Sequence, residues 1–148
     1  MITGEWFTGD SNLNEVHAIR RTVFIEEQGV SEEDEMDGTD TDAIHLLVRD
    51  GKYPVATGRI LIDGGTFTLG RIAVLKKRRG EGYGDFVVRM LIRKAYELGG
   101  QEQHLHSQVH AKGFYEKLGF SVVTDEYVEA GIPHVGMIRR GDIDGCER

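Results

Sequence analysis

Between Arg71 and Leu98 the chain changes character twice within a few residues, and this constrains its fold more than any other feature. Arg71–Leu75 is a strand-forming run, and Lys76–Gly84 is basic and alternates glycine with other residues. From Asp85 to Leu98 the apolar residues Val87, Val88, Leu91, Ile92, Ala95 and Leu98 keep helical spacing, and Gly99-Gly100 stops the helix. A strand, a glycine turn and a helix in direct succession point the unpaired N–H groups and positive dipole end of the helix into the turn. Glycines there let backbone approach an anion with no Cβ in the way. Lys76, Lys77, Arg78 and Arg79 raise the local potential. The segment reads as a cradle for a pyrophosphate. A Walker A loop does not match it. The dinucleotide fingerprint counted from Gly80 puts Asp85 where its third glycine belongs. What remains is Arg79-x-x-Gly82-x-Gly84 after a strand, which is also the pattern of a plain turn beside a solvated basic run.

The surroundings of this segment predict a mixed α/β domain of the α+β type. Asp10 and Ser11 offer an N-cap to an amphipathic helix over Asn12–Gln28, carried by Leu13, Val16, Ile19, Val23 and Phe24. Ser31–Asp42 is acidic and poor in apolar residues, and is expected to be a solvated loop. It is not a calcium loop, because Gly38 at the sixth position puts Ile44 where a bidentate Glu must stand. His45–Arg49, Val55–Ile62 and Thr66–Leu75 are separated by Asp50-Gly51 and Asp63-Gly64-Gly65, the punctuation of an antiparallel meander. Gln103–Gln108, Phe120–Val123 and Val135–Ile138 are further strands, with a short helix at Ala111–Leu118. Gly141–Arg148 is expected to fray.

Composition removes several functional classes. At 148 residues and a formal charge of −7 the chain is one domain that repels phosphate backbones, so nucleic acid is not an expected partner. Cys146 is the single cysteine, which excludes an internal disulfide and fits a cytoplasmic location. No run is long enough to span a membrane. His104, His106 and His110 lie close together, but no carboxylate completes a metal set, and no metal is expected.

Gln108-Val109-His110-Ala111-Lys112-Gly113-Phe114-Tyr115-Glu116-Lys117-Leu118-Gly119-Phe120 resembles the second signature of the GCN5-related N-acetyltransferase (GNAT) superfamily, and the glycine loop precedes it as the first signature should. Val23–Val30, His45–Val48, Gly70–Val74 and Gly131–Met137 are similar to a bacterial subgroup, the ElaA/YjcF-like proteins. The resemblance implies a mostly antiparallel sheet of about six or seven strands, splayed between the fourth and fifth, in a single domain over residues 1–148. It implies acetyl-CoA as cosubstrate and a primary amine of a small molecule as acceptor. A non-catalytic acyl-CoA sensor and a protein N-terminal or lysine acetyltransferase are the alternatives. A homodimer is left open.

The implied cofactor contacts are the backbone of Ile72, Ala73 and Val74 for pantetheine, and of Arg79, Gly80, Glu81, Gly82, Tyr83, Gly84 and Asp85 for pyrophosphate, with Gln108, Phe114 and Tyr115 beyond. Gln108 stands where many members have Asn. Tyr115 occupies the general-acid position. His134, after Pro133, resembles a pair that supplies the base in some relatives, and imidazole titrates near neutral pH. Glu26, Glu27, Glu129 and a water relay are its rivals. Arg20, Arg59 and Arg71 fall inside predicted elements, where an arginine must meet a carboxylate. That carboxylate is a protein one such as Glu27, or a substrate's. Arg71, Arg20 and Glu27 are the substrate-side candidates, while the acidic Glu32–Asp42 run favours a cationic acceptor.

Overall fold

The computed structural model describes residues 1–143. Its eight strands make one sheet in the order β1-β2-β3-β4-β5-β8-β6, with β7 also paired to β8. The meander is β2 (Ala43–Asp50), β3 (Tyr53–Asp63) and β4 (Thr66–Val74), with β1 (Ile2–Thr8) antiparallel to β2 at the outer edge. Gly64 and Gly65 turn β3 into β4 with φ of 56° and 86°, a tight turn open to few other residues. β5 (Glu102–Gln108) runs parallel to β4, and β8 (Ile132–Arg140) runs antiparallel to β5. β6 (Ser121–Val122) and β7 (Tyr127–Glu129) are short additions against β8. β7 falls between the last two predicted strands, where the sequence pattern marks no element.

Helices cover both faces. α3 (Tyr83–Glu97) buries Val87, Val88, Leu91 and Ile92 completely against one face. Each such burial stabilises the fold by roughly 1.5–3 kcal/mol. On the other face α1 (Asn14–Arg20) brings Val16 and Ile19 onto Leu47 and Ala73. The predicted N-cap is not used: Leu13 occupies that position, while Asp10 and Ser11 close a turn with Thr8. Over Arg21–Glu27 the same helix continues with π-helical pitch, and the Gln28 N–H reaches back five residues to the Val23 carbonyl.

Two further expectations are corrected. The acidic segment is not a solvated loop. It forms α2 (Glu32–Glu35), capped by the Ser31 hydroxyl, and a single 3-10 turn at Thr39–Asp42, and Glu35 is 1% exposed. The tail does not fray from Gly141 onward, because the Gly141 N–H bonds the Gln101 carbonyl and Ile143 joins the core. The remainder of the expected frayed tail, and Cys146, lie outside the described residues.

Candidate active site

β4 and β5 pair only at Phe67↔Gln103, Thr68↔His104 and Leu69↔Leu105. β4 continues to Val74 and β5 to Gln108 without a ladder between them. The backbone prepares this divergence. The register of β3 against β4 slips between Thr57 and Arg59, and Arg71 takes a left-handed φ of 49°. Such a conformation costs a non-glycine residue free energy and persists only where its surroundings hold it. Beside the gap lies a cavity of about 560 Å³, whose lining includes Ile72, Gln108, Tyr115 and His134.

The two predicted catalytic side chains therefore meet one cavity from different elements. Tyr115 lies on α4 (Lys112–Glu116), its ring held edge-on between Phe114 and Phe120. Burial pushes its phenol up to about 12, so it stays protonated and remains a hydrogen-bond donor at neutral pH. His134 lies on β8 opposite Gln108, with 7% of its surface exposed. Its Nδ1 is 2.7 Å from the Ile132 carbonyl. A carbonyl only accepts, so Nδ1 carries a hydrogen, and the neutral ring has its lone pair on Nε2. Glu129 is 3.9 Å from that Nε2, and Tyr127 stacks on the ring.

The glycine loop fits a pyrophosphate. Gly80 and Gly82 have φ of 83° and 89°, and Gly82 begins α3 with no side-chain cap, which leaves the first N–H groups of the helix to an external acceptor. The flanking side chains are turned to other work. Arg78 bonds Asp50 at 2.5 Å and Tyr83 Oη at 2.8 Å, and it stacks on the Tyr83 ring. Glu81 pairs with Arg78, and Asp85 with Arg89. Arg79 grips Glu27 through both terminal nitrogens, at 2.6 and 2.7 Å, and its Nε donates to the Val74 carbonyl at 3.0 Å. Glu27 is thus tied to the loop rather than to the cavity, and its carboxyl is held below the ordinary range by the Arg79 hydrogen bonds. One of the predicted pantetheine partners, the Val74 carbonyl, already accepts from Arg79. Ala73 is buried on the α1 side, and Phe114 is half exposed beside Gly84.

The other arginines meet the acidic segment. Arg20 is 1% exposed and uses all three nitrogens, on the Glu35 carboxylate, the Asp40 carboxylate and the Glu35 carbonyl. It is a buried strut, not a substrate contact. Arg71 does line the cavity, but its Nε is 2.8 Å from Glu35 and its Nη2 reaches the Asp34 and Glu35 carbonyls and Asp37. Burial raises the Asp40 carboxyl, but Arg20 and Arg59 together pull it well below the usual carboxylate range.

Gln108 bonds Gln28 at 2.9 Å and His110 at 2.6 Å, so Gln108 anchors the end of α1 to β5. His104 pairs with Glu102, and His106 Nδ1 meets the Tyr127 hydroxyl. Each histidine of the predicted cluster has its own separate partner. Sequence reasoning missed Glu35, Asp40 and Tyr127. The signal for the first two was present, since three arginines inside predicted elements require nearby acids, and the acidic run supplies them.

Comparison with known proteins agrees with this architecture. A family model described as an acetyltransferase (GNAT) domain matches residues 12–140. The Bacillus subtilis protein YyaT, uncharacterized, is 45% identical over 135 residues, spanning 89% of this chain and 91% of its own. The uncharacterized N-acetyltransferase YjcF of the same organism is 35% identical over 131 residues, spanning 88% of this chain and 94% of its own. The crystal structure of Escherichia coli ElaA matches with a TM-score of 0.84 at 29% identity, over 95% of this chain and 100% of that one. The match runs through the splay, the glycine loop and the last strand alike, and the chain belongs to the GNAT family of acetyltransferases.

Proposed function

We propose that this protein transfers the acetyl group of acetyl-CoA to a primary amine of a small molecule, by direct attack within a ternary complex. The observation that carries the reading is the pairing of Tyr115 and a His134 with its Nε2 lone pair free on one cavity beside the β4–β5 gap. The glycine loop holds the pyrophosphate with backbone N–H groups. β4 aligns the pantetheine arm along the gap once Arg79 releases the Val74 carbonyl.

An alkyl ammonium must lose a proton before it can attack a thioester. His134 Nε2 takes that proton, and Glu129 lies close enough to stabilise the resulting imidazolium. The amine lone pair forms the C–N bond to the thioester carbon while the carbonyl electrons move to oxygen. A backbone N–H of β4, such as that of Val74, faces the developing oxyanion. Collapse breaks the C–S bond with its electron pair leaving on sulfur, the Tyr115 hydroxyl gives its proton to that sulfur, and the second proton shed by the acylated nitrogen restores the phenol.

Thermal unfolding with acetyl-CoA tests the cofactor half. At a hundred times its dissociation constant the ligand adds about 2.7 kcal/mol. That corresponds to a rise in Tm of roughly 5–15 °C for a domain of this size. Gly82→Glu, which blocks the cradle, should abolish the rise. Tyr115→Phe tests the chemistry: it should keep the rise while lowering kcat about 100-fold or more in a thiol-release assay. A wild type that binds acetyl-CoA but releases no thiol with any amine would instead be a non-catalytic binder.

A further inference from the structure

The three arginines beside the cavity are not equally used. A guanidinium has five N–H donors. Arg20 donates from all three nitrogens to Glu35 and Asp40, while Arg71 places Nη2 on the end of α2 and Asp37 and sets its Nε 2.8 Å from the Glu35 carboxylate. Arg59, 7% exposed on β3, makes one hydrogen bond among the described residues, from Nη1 to Asp40 at 2.8 Å, and it lines the cavity.

Arg59 has no carboxylate to itself: the Asp40 oxygen it reaches, Oδ1, also accepts from Arg20. The three guanidiniums meet three carboxylates, Glu35, Asp40 and Asp37, of which Glu35 and Asp40 are 2% and 16% exposed. Asp37 pairs with Arg71 at the rim, 41% exposed. His45, opposite Arg59 on β2, adds no charge of its own. Burial lowers its pKa, and its Nε2 donates to the Asp40 carbonyl while Nδ1 stays unprotonated. Burial lowers the pKa of Arg59 as well, and the nearby Arg71 and Arg20 lower it further. A desolvated cation so placed gains from an incoming anion. Of the acidic run, which on composition favours a cationic acceptor, Glu35, Asp37 and Asp40 are engaged by these arginines, while the Asp34 side chain keeps its charge beside the cavity.

We propose that Arg59 binds a carboxylate of the acceptor, so that the acceptor is an amino acid: an amine and a carboxylate on one small molecule. This rests on the transferase reading above for the role of the amine end. The cavity is polar in the matching sense. Arg59 lies toward its β3 side, while His134 and Glu129 line its β8 side. Arg59 pairs with Gly70 and His134 with Gln108, so the two face each other across the splayed part of the sheet, beyond the last β4–β5 rung. A cavity of about 560 Å³ has room for a small zwitterion between them. A planar guanidinium with adjacent free donors suits a carboxylate in two-point contact.

The test uses matched probes: straight-chain amino acids from glycine to 6-aminohexanoate and the common L-amino acids, each against its methyl ester. Thiol release from acetyl-CoA gives KM, and thermal unfolding gives binding without acetyl-CoA. The free acid that binds most tightly should have a KM roughly 10- to 100-fold below that of its ester. The ester-to-acid KM ratio should fall toward one in Arg59→Met and stay intermediate in Arg59→Lys, which keeps a charge beside Asp40 if the methionine variant does not fold. Acids no better than esters in the wild type, or a preference that survives in both variants, overturns the proposal. The two readings fail separately. Lack of stabilisation by acetyl-CoA defeats the transferase reading, while stabilisation by the acids that is lost in the Arg59 variants still establishes the carboxylate site.

Discussion

Two charged segments flank the gap, and they carry unequal weight. Glu32–Asp42 and Lys76–Arg79 both read as solvated runs of one sign. In the fold, Glu35 and Asp40 leave water to meet Arg20, Arg59 and Arg71, whereas Arg78 and Arg79 pair with Asp50 and Glu27 at the surface. An exposed pair is screened and contributes about 0–1 kcal/mol. A buried carboxylate between two guanidiniums cannot lose its charge without leaving them uncompensated. The lesson is that burial, and not the length of a charge run, decides which segment builds the wall of the site.

The largest effect expected from this contrast is at Asp40. Asp40→Asn keeps the shape but removes the charge shared by Arg20 and Arg59. It should cost about 3–5 kcal/mol, seen as a fall in Tm of very roughly 6–20 °C. A cost below about 1 kcal/mol would erase the distinction between the two regions. Next comes pH. The native pKa of Asp40 lies below its unfolded value, so its contribution is complete above about pH 4 and fades as pH drops further toward the native value. His45, with its own native pKa depressed by burial, has the same sign and opens an earlier limb of acid destabilisation below about pH 6.5. Urea titrations from pH 7 down to pH 3 should follow both limbs, and Asp40→Asn should flatten the lower one. The smallest effect is expected at Arg79. Arg79→Ala should change stability by no more than about 1 kcal/mol. In 1 M salt that difference should vanish, because a Debye length of about 3 Å screens exposed charges, while the Asp40 effect should persist. If salt removes both equally, Asp40 is not electrostatically buried.

Local pattern predicted local structure well. Asp50-Gly51 and Asp63-Gly64-Gly65 mark real hairpins, and the spacing of Val87 through Ala95 marks the buried face of α3. The glycine loop lies where strand and helix patterns meet. What stayed hidden depends on long-range pairing. The arginines inside elements call for acids, but which carboxylate of the run answers is hidden: nothing singles out Glu35, fifteen positions from Arg20, because carboxylates with and without a cation look alike along a chain. The buried Ile143 follows the same rule. A terminal apolar residue reads as a loose end until the fold brings a core to it.

The π-helical stretch of α1 carries a consequence for how sequences of this kind can change length. Its wider pitch places Phe24 and Gln28 at the cavity and Glu27 against the glycine loop. Deleting one residue between Arg21 and Glu27 would let the segment relax to ordinary pitch and rotate everything after it by about 100°. Gln28 would swing off Gln108, and Glu27 off Arg79. Substitutions along this helix can accumulate one at a time, but its residue count is fixed by what both of its ends must touch. Insertions and deletions should therefore be tolerated in the hairpin turns and rejected here.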